Sequence, residues 1–259
     1  MKVVQISDCH LFADTSKAGY RQINPYQSLS RVLKKITELR PDLVIASGDI
    51  SSDSTLDSYQ HFSSLWQVSE LACKLIVMPG NHDEVGVMQA HFAPHQLSLG
   101  GVICKTDVWQ IHCLNSKLAQ SATEDSTQDT RGQVSKSDLL QLEAAISSAP
   151  NLRHLITVHH HPIDCGGWMD VHEWINRQDF VDLVTATPQI KGVIYGHIHH
   201  ASERQQGECL FMSCPSTCWQ WAKQANFAAS GESPGFRLIE LKTNGQLSSQ
   251  IIRVNTQTT

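Results

Sequence analysis

The sequence predicts an α/β domain, and two regularities of the chain predict it. Short apolar runs alternate with segments of helical periodicity in the order β-α-β-α-β, which is typical of parallel strands covered by helices. Polar clusters follow the carboxyl ends of these runs, at the edge of an open sheet where ligands bind. The chain has 259 residues, and we expect one domain over residues 1–259.

The amino-terminal half supplies three predicted strands and two predicted helices. The strands are expected at Val3–Ile6, Asp42–Ala46 and Lys74–Met78, and the helices at Tyr26–Leu39 and Leu56–Leu71. Pro41 ends the first helix. That helix has apolar residues at i, i+3, i+4 and i+7, namely Leu29, Val32, Leu33 and Ile36.

The second half has a more varied pattern. A polar stretch, Gln120–Gln133, predicts a loop, and Ser135 with Asp138 resembles a helix-starting capping box. A further helix is expected around Phe180–Leu183. The strands expected in this half are Val102–Cys104, Trp109–Leu114, Leu152–Val158, Gly192–Tyr195, Cys209–Met212, Phe236–Leu241 and Gln250–Val254.

Composition narrows the class of protein. The apolar share of 41% and the charged share of 17% are typical of a globular protein. The net charge of -5 disfavours a nucleic acid polymer or an anionic membrane as partner. We expect a cytoplasmic protein, because neither a secretory signal nor an apolar run of ~18 residues is visible. The eight cysteines are expected to be reduced thiols. Cys214 and Cys218 are expected to pack near a pocket, and a redox or metal pair is the alternative.

Five polar clusters carry the chemistry of the sequence. Loops that leave the carboxyl ends of neighbouring strands converge, so these clusters are expected to form one site. Carboxylates, imidazoles and amide oxygens are ligands for divalent metals. Two metal ions suit phosphodiester hydrolysis, because they generate hydroxide near neutral pH and neutralise the phosphoryl oxygens. The clusters are Asp8-x-His10, Gly48-Asp49, Gly80-Asn81-His82-Asp83, His159 before His-His-Pro, and Gly196-His197-x-His199.

In this order the clusters resemble the signature of the metallophosphoesterase superfamily, the calcineurin-like phosphoesterases, from Ser7 to about His199. The resemblance implies a four-layer αββα sandwich of two mixed β-sheets flanked by helices, with two divalent or trivalent metal ions at one edge. Iron and manganese are the metals it favours, and zinc or cobalt also suit the donors. The first metal's implied ligands are Asp8, His10, Asp49 and His199. Those of the second are Asp49, Asn81, His159 and His197.

The resemblance also implies which residues act on the substrate. Asp49 is the shared carboxylate beside a bridging hydroxide, and His82 lies beside the substrate phosphate. We hypothesise that protonated His82, oriented by Asp83, stabilises the developing charge and protonates the leaving alkoxide. The residues expected to contact substrate are His10, Asp49, Asn81, His82 and His199.

The other histidines are assigned different places. The first of the three consecutive histidines, His159, is favoured as the ligand, and His160 and His161 are expected beside it. Asn115 stands where relatives often carry aspartate, so a contact near the metals is expected to differ. Surface or core positions are expected for His61, His91, His95, His112, His154 and His172.

Within the superfamily, the chain resembles the bacterial class III 3′,5′-cyclic AMP phosphodiesterases. The resemblance implies hydrolysis of the 3′ ester of a small-molecule phosphodiester, cyclic AMP, to 5′-AMP. The stretches that carry it are Asp8–Ala13, Tyr59–Phe62, the triple histidine with Pro162, Gly196–His199 and Cys214–Cys218.

Three questions remain open at this level. The substrate can be a linear diester, such as a glycerophosphodiester or a nucleotide derivative, because the same metals serve both reactions. A non-catalytic scaffold with this fold is a further alternative. Trp168, Trp219 and Trp221 either stack on a base or pack in the core. The sequence does not indicate the native metal, the preferred cyclic nucleotide or the oligomeric state.

Overall fold

The computed structural model describes residues 1–118 and 130–255, and it confirms the α/β class. The helices are α1 (Pro25–Thr37), α2 (Leu56–Val68), α3 (Val85–His91), α4 (Lys136–Ser147) and α5 (Arg177–Ala186), with 3-10 turns at Tyr20–Gln22 and Trp168–Val171. The strands are β1 (Lys2–Ile6), β2 (Leu43–Ser47), β3 (Lys74–Met78), β4 (Gly100–Lys105), β5 (Trp109–Leu114), β6 (Arg153–Thr157), β7 (Ile190–Tyr195), β8 (Ser202–Gln206), β9 (Cys209–Ser213), β10 (Gln220–Trp221), β11 (Ala229–Ser230), β12 (Gly235–Leu241) and β13 (Leu247–Arg253).

Both large sheets are mixed. The first has the strand order β13-β12-β1-β2-β3, and within it β1, β2 and β3 are parallel. The second has the order β4-β5-β6-β7-β9-β8, with a parallel centre and an antiparallel strand at each edge. In both sheets, therefore, the parallel strands send their carboxyl ends to a single edge.

The core has three parts that define four layers. Between the sheets, Val3, Ile45 and Ile76 of the first sheet pack in one buried cluster with Ile111 and Ile194 of the second. Helices α1, α2 and α3 cover the outer face of the first sheet, and α4 and α5 cover that of the second. The four-layer αββα arrangement is confirmed.

Local sequence signals explain where the helices begin. The side chain of Asn24 accepts a hydrogen bond from the amide of Gln27, and Pro25 occupies the first turn of α1. Ser135 Oγ accepts from the amide of Asp138 at 3.0 Å, so the predicted cap of α4 is confirmed. The helix ends were predicted too late, since α1 stops at Thr37 and α2 at Val68.

The sequence missed helix α3, strands β8, β10 and β11 and both 3-10 turns, and it predicted one loop on residues that are only partly described. Strand β8 was missed because it lies at a sheet edge with exposed polar side chains, and α3 because its seven residues are too few for a period. Residues 120–129 of the predicted loop Gln120–Gln133 lie outside the described residues. Gly132, near the described end of this loop, forms isolated β-bridges with Lys117 and Trp174. All eight cysteines lie in the described ranges and are unpaired there. None of the helices in these ranges combines the length and hydrophobicity of a bilayer crossing.

A pair of buried histidines bridges β5 and β6. His154 Nε2 donates to the carbonyl of Ala149 at 3.3 Å, which leaves His154 Nδ1 to accept from His112 Nε2 at 2.9 Å. This arrangement uses two neutral rings. Burial and the adjacent His154 together lower the pKa of His112 from 6.5 to about 4.

We predict that this pair makes the fold sensitive to acid. Because the folded-state pKa of His112 lies below its unfolded value, stability is present above pH 6.5 and is lost as pH falls towards 4. His112→Asn should remove about 1–3 kcal/mol of that pH dependence, which urea unfolding between these two pH values measures. The exposed-site control, His95→Asn, should follow the wild type. Parallel pH profiles of His112→Asn and wild type would contradict the prediction.

Candidate active site

The predicted polar clusters meet at the edge where the parallel strands end. In the first sheet, the amide of Asp8 donates to the carbonyl of Gly48 at 3.0 Å, and that of His10 to the carbonyl of Asp49 at 2.9 Å. The second sheet joins this edge because His159 Nδ1 donates to the carbonyl of Ser47 at 2.8 Å. The convergence expected from the strand order is therefore present.

Five of the predicted ligands have left-handed backbone conformations. Residues other than glycine adopt positive φ rarely, at a cost of about 1–3 kcal/mol each, and such strain clusters at functional sites. Sharp turns at these positions, and not an extended segment, bring together the members of each Asp-x-His or His-x-His pair. The five are Asp8 (φ 54°), His10 (φ 49°), Asp49 (φ 51°), His197 (φ 68°) and His199 (φ 42°).

The segment Cys214–Cys218 helps to hold the strained Asp8 loop. Ser216 Oγ donates to the carbonyl of Asp8 at 2.8 Å, and the thiol of Cys218 lies 3.3 Å from the same oxygen. Both cysteines are fully buried. The expectation that they are packing residues with free thiols is confirmed.

The carboxylate of Asp49 lies between two groups of imidazoles. Its Oδ1 accepts from the amide of His82 at 2.8 Å, while Oδ2 lies 3.4 Å from His159 Nε2 and 3.8 Å from His10 Nε2. Burial by itself would raise the pKa of Asp49, but the imidazoles, His159 above all, hold it well below its usual value. Asp49 is therefore an ionised carboxylate that both groups can share.

The first group joins Asp8, His10 and His199. The Nε2 atoms of His10 and His199 are 3.0 Å apart, and Asp8 Oδ1 lies 3.3 Å from His199 Nε2. His199 Nδ1 donates to the carbonyl of Trp219 at 2.9 Å, so the lone pair of the neutral ring is on Nε2 and faces the group. Ser52 Oγ lies 3.2 Å from His10 Nδ1 and can hold that ring in the same way.

The second group joins Asn81, His159 and His197 to the other side of Asp49. Asn81 Oδ1 lies 3.1 Å from His159 Nε2, whose ring is fixed by the bond to Ser47. His197 Nε2 donates to the carbonyl of His172 at 3.3 Å, which leaves the Nδ1 lone pair free. Lys117 Nζ donates to the carbonyl of Asn81 at 2.9 Å and steadies that loop.

These donors fit a pair of metal ions. Several triads of imidazole and carboxylate atoms lie within 4.8 Å of one another, among them Asp8, His10 and His199. Burial lowers the pKa of His10 to about 3, so that ring is in the neutral form that binds metals. Burial opposes protonation of His159 too, but Asp49 and Asp8 raise its pKa to about 9. A metal at that position has to displace a proton.

The three consecutive histidines have three different environments. His159 is the one that contacts Asp49 and Asn81. His160 Nδ1 lies 2.7 Å from Ser116 Oγ, and its buried Nε2 has no hydrogen-bond partner although the ring forms a triad with His159 and His197. The ring of His161 stacks on that of His197 with an interplanar angle of 14°. These contacts favour His159 as a ligand, with His160 beside it.

The hypothesis that Asp83 orients His82 is wrong. The carboxylate of Asp83 is buried and accepts from the amides of Gly80 at 2.9 Å and Ser51 at 3.0 Å, and from Tyr59 OH at 3.2 Å. It turns inward because these donors in the two ligand loops need an acceptor. His82 itself is exposed, and its ring meets that of His10 edge-on at 5.0 Å.

The sequence left two tryptophans open between stacking on a base and packing in the core, and it missed one histidine of the site. The indole of Trp219 stacks on His10 at 5.2 Å, and that of Trp221 stacks on His199 at 5.0 Å. His172, expected on the surface or in the core, lines the site instead. No spacing rule connects these residues with the ligands; the aromatic pair in Trp219-Gln-Trp221 was the available signal.

A cavity of about 560 Å³ opens beside the two groups. This volume is typical of pockets for small molecules. Its polar end is lined by His10, Asp49, Asn81, His82, His197 and His199.

The family follows from a direct comparison. The sequence model of the calcineurin-like phosphoesterase family matches residues 1–201 of this chain. The chain belongs to this family. The resemblance found in its motifs is confirmed, and the chain is an enzyme of the phosphoesterase class. The family uses a dinuclear metal centre, which agrees with the donors described above.

Curated relatives extend the match to almost the whole chain. A Pseudomonas aeruginosa protein named 3′,5′-cyclic adenosine monophosphate phosphodiesterase CpdA is 34% identical over 98% of this chain and 90% of its own length. A Nostoc protein named 3′,5′-cyclic-nucleotide phosphodiesterase is 31% identical over 98% and 92%. A dimetal phosphatase from Danio rerio has the same fold, with a TM-score of 0.69, 11% identity, and coverage of 98% of this chain and 99% of that one.

We predict that a single methyl group at Gly80 disrupts the metal centre. A Cβ there would lie 2.2 Å from Asp49 Oδ1 and 2.4 Å from the Asp49 amide, so the shared carboxylate has to move. Gly80→Ala should lower the metal content of the purified protein at least about tenfold, measured by elemental analysis after dialysis.

The matched control is Gly86→Ala, since a Cβ at that position meets Glu84 Oε1 at an ordinary 3.6 Å. This variant should keep its metals. Full metal content in Gly80→Ala would contradict the proposed role of Asp49.

Proposed function

We propose that this phosphoesterase hydrolyses 3′,5′-cyclic AMP at the 3′ ester and releases 5′-AMP. The observation that carries the proposal is the position of Asp49 Oδ2, 3.4 Å from His159 and 3.8 Å from His10, between two sets of metal-binding donors. The names of the relatives that match 98% of the chain support the cyclic nucleotide as the substrate. The net charge of -5 supports a small-molecule substrate in preference to a nucleic acid polymer.

Asp49 is proposed as the ligand shared by both metals. When bound, the metal ions supply a hydroxide nucleophile near neutral pH and neutralise charge on the phosphoryl oxygens. Iron and manganese are favoured, and zinc or cobalt also suit these donors. The remaining ligands of the first metal are Asp8, His10 and His199, and those of the second are Asn81, His159 and His197.

Asn81 and His82 have separate parts in the proposal. Asn81 offers a neutral oxygen, which limits the negative charge that an anionic substrate meets. The backbone of His82 is fixed from two sides, because its amide donates to Asp49 and its carbonyl accepts from Ser54 Oγ at 2.7 Å. Its ring remains exposed at the cavity, where a protonated imidazole can donate to the leaving 3′ oxygen.

The fold alone does not establish catalysis. GAP50, described as an anchor in the inner membrane complex of Plasmodium, has the same fold with a TM-score of 0.66 at 12% identity, over 100% of this chain and 89% of that one. The proposal therefore depends on the donor set of this chain. We also propose that residues 1–259 form one domain and that the enzyme acts in the cytoplasm.

The first test is an assay of protein reconstituted with manganese. We expect conversion of cyclic AMP to 5′-AMP, followed by chromatography, and loss of this activity in Asn81→Ala. Bis(p-nitrophenyl) phosphate serves as a linear diester. Activity on that compound alone would reject the cyclic nucleotide, and silence on both substrates despite bound metal would favour a scaffold.

A second prediction separates His82 from the metal ligands. His82→Ala should keep its metal content but lower kcat by about 10²–10⁴-fold, the usual contribution of a positioned acid or base. The control is His95→Ala, because His95 is an exposed histidine in the loop that follows α3. This variant should retain full kcat. A His82→Ala enzyme with full metal content and an unchanged rate would reject the role of this ring.

A further inference from the structure

An aromatic cluster forms one wall of the cavity beside the proposed metal centre. Two of its rings are already engaged, because Trp219 stacks on His10 and Trp221 stacks on His199 at an interplanar angle of 20°. The members of the cluster are Tyr20, Trp168, Trp219, Trp221 and Phe227.

Tyr20 and Trp168 do not stack on any of the histidines proposed as metal ligands. Each makes a T-shaped contact with Trp221, Tyr20 at 4.7 Å and 80° and Trp168 at 5.4 Å and 70°, so the planes of both rings are steeply inclined to that indole. Trp168 makes further T-shaped contacts with His172 at 5.8 Å and with Phe227 at 4.9 Å. Tyr20 and Trp168 both line the cavity. Trp168 is therefore one ring removed from His199, a proposed metal ligand.

The local backbone brings Tyr20 to this wall. A Cβ on Gly19 would lie 2.1 Å from the indole of Trp219, so the absence of a side chain lets the segment approach that ring. Arg21, which follows, has a φ of 55° inside the 3-10 turn. Strain and close packing thus fix the position of an aromatic side chain that is itself 48% exposed.

Trp219 and Trp221 belong to a buried hydrophobic cluster and Trp168 packs against it, but core packing does not account for Tyr20 and Phe227. Tyr20 at 48% and Phe227 at 56% exposure leave large apolar surfaces in solvent, and Phe227 contacts both Trp168 at 4.9 Å and Tyr20 at 5.7 Å. Contiguous exposed aromatic surface next to a cleft indicates a binding site for an apolar group.

We expect the part of a ligand that lies against this wall to be neutral, because the cavity has few charged side chains near the wall. Among the described residues that line the cavity, Lys17 is the only lysine or arginine, and its Nζ lies 3.9 Å from the centre of the Phe12 ring. Asp49 is the only carboxylate among the described lining residues, and it lies with His10 at the proposed metal centre. Imidazoles adjoin the wall where Trp219 stacks on His10, Trp221 stacks on His199 and Trp168 meets His172 at 5.8 Å. A ligand with an anionic end and a flat aromatic end matches this division.

We propose that Tyr20 and Trp168 bind the nucleobase of the substrate by stacking. This inference rests on the proposed function, and it adds the residues that distinguish a nucleotide from other cyclic phosphodiesters. Stacking is tolerant of base identity, because every base has a π-face. The enzyme should therefore accept cyclic AMP and cyclic GMP with similar efficiency and discriminate strongly against a cyclic phosphate without a base.

The test compares cyclic AMP, cyclic GMP and the 3′,5′-cyclic phosphate of 1-O-methylribose, which lacks a base. In the manganese-loaded wild type, kcat/KM should be at least about tenfold lower for the compound without a base. Trp168→Leu should lower kcat/KM for both nucleotides about tenfold, mainly through KM, and leave the compound without a base unaffected. Trp168→Phe should recover most of the loss, and Tyr20→Leu should act in the same direction as Trp168→Leu.

The control is Trp66→Leu, the same substitution at a tryptophan that does not line the cavity. Trp66 is partly buried and packs on the hydrophobic cluster between the first sheet and its helices. This variant should change none of the three values. Equal losses on all three substrates in Trp168→Leu, or no loss on any, would overturn the inference while leaving the proposed hydrolysis intact.

A binding experiment distinguishes failure of the proposed hydrolysis from failure of the proposed base subsite. If the wild type hydrolyses no cyclic nucleotide, calorimetry still compares 5′-AMP with ribose 5-phosphate as ligands of the metal-loaded protein. Tighter binding of 5′-AMP that is lost in Trp168→Leu would keep the base subsite and reject only the reaction. Equal binding of the two ligands would reject the subsite as well.

Discussion

The position of the Asp49 carboxylate constrains the loops around it. One oxygen accepts from the His82 amide and the other faces imidazoles of both groups, so each surrounding loop has to approach closely. Gly48 has a φ of 102°, and a Cβ on this residue would lie 2.4 Å from the ring of His159. Asp83 then ties the loops together by accepting from Ser51 and Gly80. Asp49 is only 2% exposed, and its charge is compatible with this burial because imidazoles and a backbone amide surround it.

The sequence predicted the scaffold well because the scaffold depends on repeated local signals. Buried parallel strands appear as continuous apolar runs, and β2 is buried at every position. The order of the strands then implied that Asp8, Asp49 and Asn81 would meet at one edge, which they do. Helix starts were also readable, since caps such as Ser135 act within a few residues.

What the sequence could not give depends on contacts between distant segments. The left-handed turns at His10 and His199 are strained for these residue types, and only the folded surroundings stabilise them. Asp83 was assigned to a neighbouring ring, but the demand of buried amides for an acceptor outweighed proximity in the chain. The stacking of Trp219 on His10 joins segments that no periodicity relates.

The convergence of the two sheets has a consequence for stability. Asp8, Asp49 and Asn81 belong to the first sheet, whereas His159 and His199 come from the second. In the proposed assignment each metal ion takes ligands from both, so it would cross-link two layers whose interface is mainly apolar. Binding to the folded chain alone would then raise its resistance to unfolding in proportion to the logarithm of free metal concentration. The enzyme's lifetime in the cell would thus depend on the same supply of metal as its catalysis.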